Sequence, residues 1–434
     1  MANSRKIAFE ALLKIEKDEA FSNLALDAVL SKSQLDTRDK SFVSNLFYGV
    51  IERRLTIDYN LSAYLTKPIK KLKPEVLTIM RMGAYQVLFM DKVPNSAAVN
   101  ESIKLAKSSG CAYSASLINA VLRKICSNSL VLPNPEKTAE YMSIKYSCPE
   151  WLTEKWINEY GEEDTRCFLE ASLKASDIYI RVNTVKTDED TLIDKLSDEG
   201  VYAEKTYNKN TLKINLKGKD VARLMCFKDG LFHVQDIACQ LCAKAVNAQE
   251  NELVYDLCSA PGGKAYTICE TMNNKGKVLC FDIYENRVSL IKKGAERLGL
   301  TCIEGAVGDA SVYNEKLPLA DRVLCDVPCS GLGIIGRKPE IKYKSESELS
   351  DLPEIQLSII CNAAKYVKVG GRLVYSTCTL SKAENEDVCN SFLSHNANFV
   401  PMGVFSQDDD CMKTLIPHKD ESDGFFIACF KRED

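Results

Sequence analysis

An apolar segment, Glu252–Leu257, runs straight into Cys258-Ser259-Ala260-Pro261-Gly262-Gly263-Lys264, and a helix-capable segment, 265–272, follows. A strand, a glycine pair and a helix in that order lay out a small-molecule pocket at the carboxyl end of a parallel strand. From residue 230 onward, apolar runs alternate with amphipathic ones. Strands are expected at Leu253–Cys258, Lys277–Asp282, Thr301–Glu304, Arg322–Asp326 and Arg372–Ser376, and another near Gly424–Phe430. Helices are expected at Asp236–Val246, Gly263–Met272, Glu285–Leu298, Glu354–Tyr366 and Lys382–Ser394. This alternation predicts a mostly parallel, doubly wound α/β sheet of Rossmann-like type, with ligands beyond the carboxyl ends of its strands.

The remainder of the 434 residues is too much chain for one core, and two or three domains are expected. Residues 1–130 read as an all-α domain, with helices at Ser4–Glu16, Asn23–Leu30, Asp39–Ile51, Thr56–Leu65, Pro74–Met90, Ser96–Ala106 and Ser114–Ile125. In the first of these, Ile7, Ala8, Ala11, Leu12 and Ile15 recur at helical spacing on one face. Pro74 suits a first turn, and Pro94 with Asn95-Ser96 ends one helix and caps the next. Residues 131–229 read as a proline-marked linker, two helices that bury Trp151 and Trp156, and a small α+β module. In that module Ile178–Val182 is a strand, Thr187 caps a helix to Leu196 with Asp190 completing a capping box, and short strands follow at Tyr202–Tyr207 and Thr211–Leu216. Residues 230–434 form the α/β domain.

Composition removes several classes of function. Charged residues interrupt Met1–Ala20, so it does not read as a signal peptide, and no run reaches the length of a membrane span. A cytosolic chain is expected, with its 18 cysteines as reduced thiols and no membrane partner. The three histidines, His233, His395 and His418, have no metal-ligand spacing, and Cys239-x-x-Cys242 has no second pair, so no metal is expected. Acid–base chemistry therefore falls to Asp, Glu, Lys or Cys. The formal charge of −4 argues mildly against a nucleic-acid partner, although it averages over domains. Locally, Lys67, Lys70, Lys71 and Lys73 follow Arg53-Arg54, and this patch reads either as a solvated loop or as a phosphate contact.

The pocket run is not a nucleotide triphosphate loop, because Cys258 and Ala265 stand where that pattern needs Gly and Ser or Thr. Gly331-x-Gly333-x-x-Gly336 leads into Arg337-Lys338-Pro339 rather than a helix, and reads as a flexible loop instead of a dinucleotide fingerprint. A ligand with one carboxylate and one ribose remains. Asp282, 18 residues after Lys264, ends the second strand, where a carboxylate meets ribose hydroxyls. Asp309 lies just past the third strand, within reach of an adenine amino group, and Asp326 ends the fourth. Three acids at successive strand ends beside a glycine turn point to S-adenosylmethionine.

Two further runs, Asp326-Val327-Pro328-Cys329 and Ser376-Thr377-Cys378-Thr379, fall at adjacent strand tips. Methylating an unactivated pyrimidine carbon needs covalent help: a thiolate adds to C6, C5 becomes nucleophilic and takes the methyl group, and elimination restores the ring. Asp326 is placed to hold the base's N3 as charge builds. One of Cys329 and Cys378 attacks and the other assists elimination; the residues alone do not order them.

Together these runs resemble the Nol/Nop/Sun family of RNA (cytosine-5) methyltransferases, and the whole chain is most similar to its bacterial rRNA branch. That branch carries a NusB-like helical domain, which residues 1–130 resemble, including Val93-Pro94 ahead of Ala97-Ala98-Val99-Asn100-Glu101. Arg181-Val182-Asn183, Val234-Gln235-Asp236, Arg337-Lys338-Pro339-Glu340-Ile341-Lys342 and Asp423-Gly424-Phe425-Phe426 are further similar stretches. The resemblance implies that Cys258, Ser259, Ala260, Pro261, Gly262, Gly263, Lys264, Asp282, Asp309 and Asp326 bind S-adenosylmethionine. It implies that Cys378 is the nucleophile and that Cys329 assists release of a 5-methylcytosine in 16S rRNA. The expected partner is a small-subunit rRNA hairpin bound by a monomer, with Arg337, Lys338, Lys342 and Lys344 as leading phosphate contacts. Another RNA such as tRNA, a non-catalytic RNA-binding factor, and a small-molecule or protein methyltransferase are the competing readings. The last leaves the cysteine pair unexplained.

Overall fold

The computed structural model describes residues 4–18, 22–128, 130–174, 176–406 and 409–434. Of the amino-terminal segment read for a signal peptide, residues 1–3, 19 and 20 lie outside the described residues. Two compact units divide the chain: Met1–Lys174 with Ile335–Lys344, and Ala175–Ile334 with Ser345–Asp434.

The first unit is helical throughout its described residues, with helices at Ser4–Asp18, Ser22–Leu30, Thr37–Glu52, Arg54–Ser62, Pro74–Phe89, Asn95–Ser108 and Ala115–Cys126 and three more from Thr138 to Ala171. The apolar stripes of the first seven meet in one core that includes Ala8, Leu12, Leu46, Phe47, Ile79, Met80, Ile118 and Leu122. Pro74 does occupy a first turn. Pro94 itself is the cap residue before Asn95, with no side-chain cap bond, so Asn95-Ser96 begin the helix instead of capping it. Trp156 is fully buried, edge-on to Phe168 with ring centroids 4.5 Å apart, as core packing requires.

Ile335–Lys344, which follows the Pro-Cys run in sequence, belongs to this helical unit. Lys342 is only 2% exposed and its Nζ donates to the Glu52 carbonyl at 2.8 Å. Tyr343 donates to the Ile51 carbonyl at 2.8 Å and lies under the Arg54 guanidinium, 3.8 Å from the ring centroid. Lys342 is thus a packing residue rather than a phosphate contact, whereas Arg337 and Lys338 are exposed. Burial pulls its ammonium down to about 8.

In the second unit, β1 (Ile178–Val182), β2 (Tyr202–Lys205), β3 (Thr211–Asn215) and β4 (Phe232–Val234) form an antiparallel sheet in the order β2-β3-β1-β4. Its helix, Glu189–Asp198, is capped by Asp188, which accepts from the Thr191 N–H, and not by Thr187. β4 is three residues long, too short to show a period in the sequence.

The larger sheet contains β5 (Leu253–Asp256), β6 (Lys277–Asp282), β7 (Ile303–Val307), β8 (Ala320–Asp326), β9 (Val367–Thr377), β10 (Phe399–Pro401), β11 (Met412–Leu415) and β12 (Phe425–Arg432). The path runs β10-β12-β9-β8-β5-β6-β7, with β11 pairing β12. β5 through β9 pair in parallel; β12 is antiparallel to β9, β10 and β11. Alternate residues feed opposite cores. Val254, Leu324 and Val374 meet the helices Ile237–Val246, Gly263–Thr271 and Glu285–Leu298 on one face. Tyr255, Val323, Leu373 and Tyr375 meet Leu352–Ala364 and Glu386–His395 on the other. The sheet is therefore doubly wound, with an antiparallel edge.

Cys269 and Cys302 are joined by a disulfide, so reduced thiols do not describe every cysteine. No helix among the described residues is long and apolar enough to cross a membrane.

Candidate active site

The carboxyl ends of β5 through β9 lie side by side, and the residues singled out in the sequence follow them. After β5, the Leu257 N–H donates to the Leu324 carbonyl at 3.0 Å and the Ser259 N–H to the Phe281 carbonyl at 2.8 Å, which pins the run between β8 and β6. Gly262 closes the turn, its N–H donating to the Ser259 carbonyl at 2.7 Å with φ at +107°. A side chain there would be strained and would meet the Tyr266 ring, whose hydroxyl donates to the Pro261 carbonyl at 2.8 Å. The helix Gly263–Thr271 then begins, presenting the N–H groups of its first turn and the positive end of its dipole.

Lys264 does not reach outward. Its Nζ donates to Asp326 Oδ2 at 2.6 Å and lies 5.2 Å from the centroid of the Phe425 ring. Burial is the largest single influence and works against this ammonium, but Asp326 together with Cys239 and Cys242 outweighs it and holds the group well above its usual range. Asp326 also accepts from Ser376 Oγ at 2.8 Å, so one carboxylate joins the cofactor turn to the strand that carries Cys378.

Asp282, at the end of β6, is buried; it accepts from the Tyr284 N–H at 3.2 Å and pairs with Arg287 at 3.3 Å. Asp309 is exposed and accepts from the Ser311 N–H at 2.9 Å and its hydroxyl at 2.7 Å, which hold the carboxyl below its usual range. Asp309 borders a pocket of about 260 Å³, lined also by Leu257, Phe281, Val307, Tyr313 and Tyr366. Among the described residues, neither the carboxylate oxygens of buried Asp256 nor the Ser259 hydroxyl has a well-formed hydrogen bond, although the Ser259 side chain and the Cys258 backbone lie near enough to act on the Asp256 carboxyl. Burial pushes the Asp256 carboxyl up to about 7. Apolar walls for a flat base, a buried acid for ribose hydroxyls, a helix N-terminus for a carboxylate and a hydroxyl with no well-formed bond fit S-adenosylmethionine.

The other half follows β8 and β9, which pair Asp326 with Ser376. Cys329 and Cys378 lie beyond those ends with their sulfurs 3.3 Å apart. Contact with Cys378 and burial push the Cys329 thiol well above its usual range, and the charges of Glu384 and Asp326 act the same way. Cys329 therefore keeps its proton near neutral pH, able to donate toward the neighbouring sulfur.

The glycine-rich stretch is no flexible loop. Leu332–Ile334 is a tight turn in which the Gly333 N–H donates to the Cys378 carbonyl at 2.9 Å, and the Gly424 N–H donates to the Gly333 carbonyl at 2.9 Å. A side-chain carbon on Gly333 would lie 2.0 Å from the Gly424 carbonyl oxygen, so two backbones touch beside the cysteine. The sequence reading missed this packing, and it missed Glu384 and Asn385, which it placed inside one helix running from Lys382. The chain instead makes a short turn, Lys382–Glu384, before the helix Glu386–His395. An acid and an amide six and seven residues beyond Cys378, in a segment with no apolar period of its own, were the available signal.

Family models match the chain over three stretches. These are the NusB family over residues 2–127, an RsmF/B-like ferredoxin-like domain over 148–219, and the 16S rRNA methyltransferase RsmB/F over 243–431. The chain is 36% identical over 443 residues to the probable ribosomal RNA small subunit methyltransferase B of Bacillus subtilis (strain 168), spanning 99% of this chain and 98% of that protein. It is 32% identical to the probable protein of the same description from Synechocystis sp., spanning 100% of both. The crystal structure of PH0851 superposes with a TM-score of 0.83 at 27% identity, covering 100% of this chain and 99% of that one.

Proposed function

The chain belongs to the ribosomal RNA small subunit methyltransferase B family, whose members use S-adenosylmethionine, and from that premise we propose that it methylates C5 of a cytosine in 16S rRNA through a Cys378 adduct. The observation that carries this reading is the pair of sulfurs 3.3 Å apart at the tips of β8 and β9.

When bound, S-adenosylmethionine supplies a methyl group made electrophilic by its sulfonium sulfur. Cys258–Lys264, Asp282, Asp309 and Asp326 would hold it, Asp282 suiting ribose hydroxyls and Asp309 an adenine amino group. Asp326, already bonded to Lys264 and Ser376, would meet N3 of the cytosine through a shared proton, which steadies the charge that builds on the ring. Cys378 attacks as thiolate, its sulfur forming a bond to C6 while the 5,6 electron pair moves to C5, which takes the methyl group. Water then accepts the C5 proton, the electron pair returns to the 5,6 bond, and the C6–S bond breaks. Cys329, whose thiol is protonated and 3.3 Å away, stabilises the departing Cys378 thiolate by donating to it.

Residues 1–130 and the module within 131–229 hold the rRNA hairpin while the catalytic domain, 230–434, takes one cytosine out of its stack. Exposed Lys67, Lys70, Lys71 and Lys73, with Arg337 and Lys338, meet its phosphates. The protein acts as a cytoplasmic monomer. Bisulfite mapping of 16S rRNA from a strain lacking this protein tests the reading. Loss of a single 5-methylcytosine, restored by the wild-type chain and not by Cys378→Ala, is the expected result; an unchanged map overturns it.

A further inference from the structure

The two cysteines are held by a hydrogen-bond network that converges on one buried acid. Glu384 is only 3% exposed, and its carboxylate meets both cysteine loops. From the loop of Cys329 it accepts the Ser330 N–H at 2.8 Å on Oε2 and the Ser330 hydroxyl at 2.6 Å on Oε1. From the loop of Cys378 the Thr379 hydroxyl lies 3.4 Å from Oε1, a long contact that shares the proton Thr379 gives to Ser330. Ser330 and Thr379 are also joined to each other, hydroxyl to hydroxyl, at 2.7 Å. Gln356 braces the same group, donating to Glu384 Oε2 at 3.0 Å and to the Pro328 carbonyl at 3.1 Å.

Asn385 holds Cys378 by its other flanks. Thr377 donates to Asn385 Oδ1 at 2.6 Å, and Asn385 Nδ2 donates to the Thr379 carbonyl at 3.0 Å. The Glu384 carbonyl in turn accepts the Tyr375 hydroxyl at 2.6 Å, so the backbone of this turn is anchored to β9. The residues on either side of each cysteine, Pro328 and Ser330, Thr377 and Thr379, are all tied into one network, and Glu384 touches both loops.

We infer that Glu384 is the positioning residue that holds Cys329 against Cys378, while Asn385 positions Cys378 itself. A carboxylate bonded to several donors in a buried place is a rigid junction, and truncating it leaves those donors unsatisfied. The division of labour follows from the contacts. Ser330 gives both its N–H and its hydroxyl to Glu384 and otherwise touches Thr379, so losing Glu384 releases the Cys329 loop first. The Cys378 loop keeps both of its bonds to Asn385. The inference rests on the adduct reading above, with Cys329 serving release and Cys378 serving attack.

The test uses the full-length chain, S-adenosylmethionine and 16S rRNA, with RNA–protein adduct read on denaturing gels alongside turnover. Glu384→Gln keeps the size of the side chain but removes one acceptor and the charge. It is expected to form adduct within about threefold of the wild-type rate, to release it at least about tenfold more slowly, and so to accumulate it, as Cys329→Ala does. Asn385→Ala is expected to slow adduct formation instead. Ser330→Ala deletes one bond to Glu384 and should slow release several-fold with the fold intact, which keeps the idea testable if Glu384→Gln does not fold. Melting temperature and S-adenosylmethionine affinity are measured for each variant. Loss of turnover in step with loss of either, without adduct, assigns Glu384 to folding alone and overturns the inference. Wild-type release in folded Glu384→Gln or Ser330→Ala also overturns it. If wild type makes no 5-methylcytosine and Cys329→Ala traps nothing, the adduct reading itself has failed.

Discussion

The cofactor half and the cysteine half of this site occupy neighbouring strand ends and satisfy their polar groups in opposite ways. Beside β5, among the described residues, the oxygens of Asp256 and the Ser259 hydroxyl have no well-formed hydrogen bond, only the weak influence of Ser259 and the Cys258 backbone on the Asp256 carboxyl, and a pocket of about 260 Å³ opens nearby. Beyond β8 and β9, the polar groups flanking the two cysteines are bonded within the protein, most of them to Glu384 or Asn385. A half that admits and releases a ligand keeps bonding capacity in reserve for it. On the adduct reading proposed above, the second half makes and breaks a covalent bond and must hold its reacting atoms in fixed geometry beforehand. Asp326 belongs to both, bonded at once to Lys264 and Ser376.

The sharpest separation of the halves lies in the cysteines. Cys378→Ala is expected to lower methyl transfer by at least about 10⁴-fold, the scale of losing a covalent nucleophile, while S-adenosylmethionine still binds by calorimetry. Transfer within about tenfold of wild type would place the attacking group elsewhere. Asp326→Asn comes next, because it weakens the link to Lys264 and the group assigned to the cytosine together. A drop of roughly 10²–10³-fold in kcat/KM is expected, with KM for S-adenosylmethionine rising and kcat falling. A change in only one of the two would show that Asp326 serves one half alone. Asp282→Ala should touch only the cofactor half: roughly 100-fold weaker cofactor binding by calorimetry, with wild-type turnover restored at saturating cofactor. Persistent loss of kcat at saturation would break the division.

The two halves also differ in how far the sequence revealed them. The cofactor half is local: strand, turn and helix are contiguous in Leu253–Thr271, and glycines announce the turn, so periodicity and turn chemistry located it. The acids Asp282, Asp309 and Asp326 could be singled out because a parallel sheet brings successive strand ends together. The helical unit and the doubly wound sheet were legible for the same reason, each built from long periodic segments. Short or edge elements escaped: β4, β10 and β11 have three or four residues each, too few to display a period. The cysteine half is assembled from afar. Gly333 requires glycine only because Gly424, more than 90 residues on, presses its backbone against it, and Glu384 reaches Ser330 across 54 positions. Nothing in the local chemistry of Gly331–Gly336 distinguishes that packing from an open loop. Lys342 shows the converse, a lysine in a basic-looking run that is buried under tertiary packing.

The weakly bonded, buried carboxyl of Asp256 gives the most delicate test of the contrast, because it predicts a pH dependence from the cofactor half. Burial raises this group to about 7 in the folded chain. An unfolded aspartate titrates near about 3.9. Between those values the folded state holds a proton that the unfolded state has released, so the stabilisation it gives is complete below about pH 3.9 and is lost as pH rises toward about 7. Above that range both states are ionised and the term is flat. Asp256→Asn carries no titrating proton, so its stability relative to wild type should rise between pH 5 and 7 by about 2 kcal/mol and then level off, at about 1.4 kcal/mol per pH unit of difference. Urea unfolding of both proteins at several pH values measures this directly. A difference that stays constant with pH would mean that Asp256 is ionised throughout, held by a donor such as Ser259, and that this half is as fully bonded as the other.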